Sequence, residues 1–199
     1  MKAKTLALIA LMMLWVPAAH ASTFTFTVPL SGANEKPPNA SPGTGLATIV
    51  LDTTAQTLTV GATFSGLTSN DTAAHIHCCQ TSPGFGNTGV ATTVPAFPGF
   101  PLGVTSGTYS PMTFDLTMPL ISNPAFVTLE GGTIPGAEAA LIAGLLSGST
   151  YFNIHTGNFP GGEIRGQLVP LPTALPLFAT GLGALGLLGW RRKRKDIAA

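Results

Sequence analysis

The chain has 199 residues, 45% hydrophobic and 9% charged, which suits one domain with a real core and excludes disorder. Its 24 Gly and 17 Pro favour turns and short strands over long helices. Seven of the nine basic residues lie near the two ends, so the body keeps only Lys36 and Arg165 against seven carboxylates, and no nucleic-acid partner is expected.

In chain order, residues 1–21 read as a secretory signal peptide. Lys2 and Lys4 form a positive start, Leu6 to Val16 is an apolar run too short to span a bilayer, and Ala19-His20-Ala21 is a small-x-small cleavage site. Residues 22–169 form the body, an expected all-β antiparallel sandwich of Greek-key, immunoglobulin-like type with one short helix. Phe24, Phe26 and Val28 alternate onto one face. Leu46 to Leu51 and Leu58 to Phe64 read as two strands joined through Asp52-Thr53-Thr54-Ala55-Gln56. Ala73 to Cys79 is the next strand, and it carries two of the four histidines. The long Gly/Pro-rich stretch from Gln80 to Tyr109 is expected either to have a function or to contain irregular strands. Phe114 to Leu120 and Ala125 to Leu129 read as strands. Gly136 to Leu146 reads as the helix, and Ser149 to Thr156 and Glu163 to Val169 as the last two strands.

The tail, residues 170–199, has three parts: Pro170-Leu171-Pro172, an uncharged apolar run at 174–190, and the basic cluster Arg191-Arg192-Lys193-Arg194-Lys195. Seventeen uncharged residues make a helix of about 26 Å, close to the ~30 Å of a hydrocarbon core. The basic cluster belongs on the cytoplasmic side, so the body faces outward. This ending resembles the PEP-CTERM sorting signal of Gram-negative bacteria, with Leu171 where the name-giving motif has Glu. The resemblance implies an exosortase-type protease as a partner. It also implies a protein first held in the inner membrane facing the periplasm, then released to the surface or matrix. A permanent membrane anchor is the alternative.

Strands have period two, so His75, His77 and Cys79 share a face, as do Tyr151, Asn153 and His155. If the two strands are neighbours, three imidazoles and a thiol converge, a donor set for Cu or Zn. The alternative is a hydrogen-bonded or surface histidine pair. Cys78-Cys79 leaves three readings open: a vicinal disulfide, which is slightly favoured, one core thiol with one ligand thiol, or bonds to another chain. Glu163 and Arg165 share a face and read as a surface charge pair. No phosphate loop, nucleophile elbow or catalytic carboxylate pair is present.

Several stretches match one family in order. They are Ser31-Gly32-Ala33-Asn34-Glu35-Lys36-Pro37-Pro38, Ala74-His75-Ile76-His77, Tyr151-Phe152-Asn153-Ile154-His155-Thr156 and Pro160-Gly161-Gly162-Glu163-Ile164-Arg165-Gly166-Gln167-Leu168. They resemble the CHRD domain first described in chordin, over about residues 24–168. The resemblance implies an extracellular immunoglobulin-like sandwich and no settled activity. The expected function is therefore a non-enzymatic envelope or matrix module with exopolysaccharide or a surface protein as partner. A small Cu- or Zn-binding protein using His75, His77 and His155 is the alternative.

Overall fold

A computed structural model describes residues 23–170. The signal peptide at 1–21, Leu171 and Pro172, the apolar run at 174–190 and the basic cluster 191–195 lie outside the described residues. Among those described, no helix is long and apolar enough to cross a membrane.

The all-β antiparallel expectation holds. The described residues form seven strands: β1 (Thr23–Ser31), β2 (Thr44–Asp52), β3 (Thr57–Ser65), β4 (Asp71–His77), β5 (Gly107–Asp115), β6 (Thr150–Thr156) and β7 (Ile164–Leu168). They form one continuous sheet in the order β4-β6-β7-β1-β2-β3-β5, antiparallel at every pairing. The sheet curls into a half-barrel, and every strand sends side chains into a single apolar core. Phe97 packs across that core between the two sides of the curled sheet. Its ring lies 6.2 Å from Phe152 on β6 and 5.7 Å from Phe114 on β5.

Alternation explains the strands. Phe26, Val28 and Leu30 are buried on β1, and Ala47, Ile49 and Leu51 on β2. The β2–β3 turn is fixed by Asp52, whose Oδ1 accepts hydrogen bonds from the backbone N–H of Thr54 and Ala55, each at 2.9 Å. The chain from residue 78 to 106 runs beside the outer edge of β4. Ala74 N–H donates to Pro95 O at 3.1 Å, Ala91 N–H to Ile76 O at 2.9 Å and Cys78 N–H to Gly89 O at 3.1 Å. An edge that would otherwise offer unpaired backbone is thereby covered.

Two expected strands are corrected. Phe114 is the penultimate residue of β5, not the start of a strand to Leu120. Asp115 Oδ1 accepts from Thr117 N–H at 2.9 Å and turns the chain away. Pro124–Leu129 is a helix, α1, not a strand. Asn123 caps it by accepting from Ala125 N–H at 3.0 Å, and Pro124 stands where a missing N–H costs nothing. The expected helix is present as α2 (Ile134–Ser147), ending at Gly148 in the left-handed region at φ 72°.

Helix α2 packs its middle against a disulfide between Cys78 and Cys79. A Cβ at Gly144 would lie 2.4 Å from Cys78 Sγ and 2.8 Å from Cys79 Sγ, so only glycine lets the helix sit this close. We expect Gly144→Ala to lower stability by about 1–3 kcal/mol through overpacking, more than the up to ~1 kcal/mol of helix propensity it gains. Chemical denaturation measures this, and an unchanged or raised midpoint would refute the contact.

Candidate metal centre

Strands β4 and β6 pair directly, with His75 opposite Asn153, His77 opposite Tyr151 and Ala73 opposite His155. Strand β7 lies on the other side of β6, with Arg165 opposite Asn153. The face of this trio turned away from the apolar core therefore carries His75 and His77, then Tyr151, Asn153 and His155, then Arg165. It is not a solvent face. The loops cover it, and these six residues are at most 8% exposed.

The structure brings His75, His77 and His155 together. One ligand atom from each lies within 4.8 Å of the other two. Three points so arranged all lie within about 2.8 Å of one common point, and a small closure reaches the ~2.0–2.1 Å of a metal–imidazole bond. The ring centroids are 4.8 Å apart for His75 and His77, 4.7 Å for His75 and His155, and 5.7 Å for His77 and His155.

Each ring is aimed by a backbone carbonyl. His75 Nδ1 lies 3.1 Å from Pro95 O, His77 Nδ1 2.7 Å from Thr88 O, and His155 Nδ1 2.9 Å from Pro160 O. A carbonyl can only accept, so every Nδ1 carries the proton and every Nε2 is left with its lone pair. All three Nε2 atoms are buried and have no hydrogen-bond partner. A buried polar atom without a partner costs about 1–3 kcal/mol, and three converging acceptors cannot satisfy one another. Burial, together with the neighbouring imidazoles, pushes His75 down to about 3. Burial pushes His77 down to about 4. Burial also lowers His155. The neutral, metal-ready form of each ring is thus the one the fold favours near pH 7.

Beside the histidines lies a second layer. The Tyr151 ring stacks on His77 at 4.5 Å, and the Arg165 guanidinium lies over the Tyr151 ring at 4.3 Å. Arg165 Nε is 3.1 Å from Glu35 Oε2, an ion pair 3% and 6% exposed at its side chains. Arg165 also donates to Gly86 O at 3.3 Å and Asn87 Oδ1 at 2.9 Å. Burial pushes Glu35 up to about 7, with the Arg165 charge pulling against it.

Two sequence expectations fail here. Cys79 does not point at the histidines. Strand β4 ends at His77, and Cys79 Sγ is bonded to Cys78 and lies 3.5 Å from Ala140 O on α2. Period two therefore stops applying two residues before it could have placed a third donor on this strand. Glu163 and Arg165 are not a surface pair. Glu163 accepts from Ser41 Oγ at 2.5 Å, Thr156 Oγ1 at 2.5 Å, and Thr68 N–H and Oγ1 at 2.7 and 3.1 Å. It is wholly buried and ties three loops together. Glu35 and Tyr151 were not singled out from sequence. The signal for Tyr151 was its shared face with His155; Glu35 had none beyond its place in the first of the CHRD-like stretches, Ser31 to Pro38.

No curated protein and no solved structure matches this chain. A family model described as the CHRD domain matches residues 26–168, nearly the whole described body. The chain belongs to the CHRD domain family.

Proposed function

We propose that this is an exported cell-envelope module, a binding protein and not an enzyme, whose chemical capacity is to hold one Cu or Zn ion at His75, His77 and His155. The observation that carries the metal is the trio of buried, partnerless Nε2 atoms whose three Nδ1 atoms are each held by a carbonyl. Scaffolding alone accounts for the three Nδ1 bonds but leaves three Nε2 acceptors buried without partners. Family membership and the body's acidic balance support an extracellular or envelope role. The signal at 1–21 and the PEP-CTERM-like tail supply the route. The body is carried out, tethered through 174–190 with 191–195 inside, and released to the surface by an exosortase-type protease near Pro170-Leu171-Pro172. Exopolysaccharide or a surface protein is the partner there. Glu163 is spent on four donors, which supports a binding role over general-base chemistry.

Protein purified without a chelating tag, then reconstituted with Cu or Zn and desalted, should hold about one equivalent of metal. His155→Ala should hold less than about a tenth of that while keeping its circular dichroism. Less than about a tenth of an equivalent in the unaltered protein would end the metal reading.

A further inference from the structure

The donor set goes further than naming a late transition metal, and this step rests on the proposed site itself. Every ligand in the group is a neutral imidazole. Among the described residues no Cys, Asp or Glu joins it. The two cysteines are bonded to each other and face α2. Glu163 is engaged by hydroxyls and a backbone N–H, and Glu35 is committed to Arg165. On one side stands the Arg165 guanidinium, behind the Tyr151 ring that stacks on His77, with its charge paired to Glu35 at 3.1 Å.

A dication in such a cage keeps its full +2 charge in a buried setting. The cost of burying charge grows with its square, about fourfold from +1 to +2, and no carboxylate or thiolate offsets it. Zinc adds a second difficulty. It takes four ligands almost always, and the fold offers three, so a water would have to enter the buried site as the fourth. Copper(II) asks for a tetragonal set and meets the same shortage. Cu(I) carries one charge, and its filled d shell leaves three-coordination open to it. We infer that the His75, His77 and His155 centre is a three-coordinate Cu(I) site, selective for the monovalent ion over Zn(II) and Cu(II).

The test uses the mature protein and the ions alone. Cu(I) is supplied under nitrogen with ascorbate, so that no thiol competes, and its affinity is read by competition with bicinchoninate. Zn(II) and Cu(II) are read by competition with chelators of known affinity. The expected result is one Cu(I) bound about 100-fold more tightly than either dication, with X-ray absorption showing three nitrogen neighbours near 2.0 Å. His77→Gln should abolish this binding. A preference under about tenfold, or a fourth ligand at the metal, overturns the inference. Binding of none of the three ions is a different failure, since it removes the site and not merely its selectivity.

Discussion

Acidifying the metal-free protein from pH 6.5 toward pH 4 should cost it several kcal/mol of stability, more than the carboxylates of so sparsely charged a body would explain. His75 and His77 have folded values near 3 and 4, and His155 is also lowered, against an ordinary 6.5. A group whose folded value is depressed binds its proton more readily when unfolded. Its stabilising contribution is therefore complete above about pH 6.5 and is lost as pH falls toward the folded value. Each such histidine contributes up to about 1.4 kcal/mol per pH unit inside that window, and three act together. Glu35 works the other way. Its folded value is raised from 4.5 to about 7, so its contribution is present below 4.5 and fades as pH rises to 7. Burial raises Asp71 as well, and these two carboxyls offset only part of what three lowered imidazoles impose. Denaturant midpoints from pH 4 to 8 give the curve. His75→Gln should flatten its acid limb, and bound metal should shift that limb to lower pH, because metal and proton compete for the same lone pairs. A stability that stays level from pH 6.5 to 4 would mean the imidazoles are solvated, and the buried site would fall with it.

The site was more legible in the sequence than its surroundings. His75 and His77 differ by two positions in an alternating run, which places both on one face wherever a strand forms. His155 sits in a second alternating run, and pairing of β4 with β6 is all that was needed to unite them. The same reasoning could not say where the strand stops. It carried Cys79 onto the histidine face, although β4 ends two residues earlier. It also treated charge as a marker of surface. Arg165 and Glu163 are 2% and 0% exposed because loops far apart in sequence close over them, and no local pattern encodes that closure. Phe126 at the centre of α1 shows the same limit on the fold. Its apolar neighbours suit a strand, and the Asn123 cap followed by proline decides for helix.

Removing Arg165 should be the most damaging single change on the polar side of the sheet, and its effect should reach the metal. In Arg165→Met, Glu35 remains buried with its guanidinium partner gone. Breaking a buried pair from one side costs about 3–5 kcal/mol, and the low end applies because Glu35 can take up a proton. That escape fixes the pH dependence. Without the guanidinium pulling against burial, the folded value of Glu35 rises further. A raised value loses its stabilising contribution as pH climbs, so the deficit relative to the unaltered protein should be small at pH 5 and grow toward pH 8. The double variant Arg165→Met with Glu35→Leu should recover most of the loss, since a well-packed apolar pair can match a buried ion pair. It should not recover metal affinity. Arg165 also holds Gly86 O and Asn87 Oδ1, and the next residue, Thr88, supplies the carbonyl that aims His77 at 2.7 Å. With that anchor gone the loop is freer, and second-layer losses of this kind weaken metal binding about 10- to 100-fold. Stability and metal affinity should therefore separate in the double variant, one restored and the other not. If both return together, the loop does not depend on Arg165 for its position, and the aim of His77 must come from Thr88 and its neighbours alone.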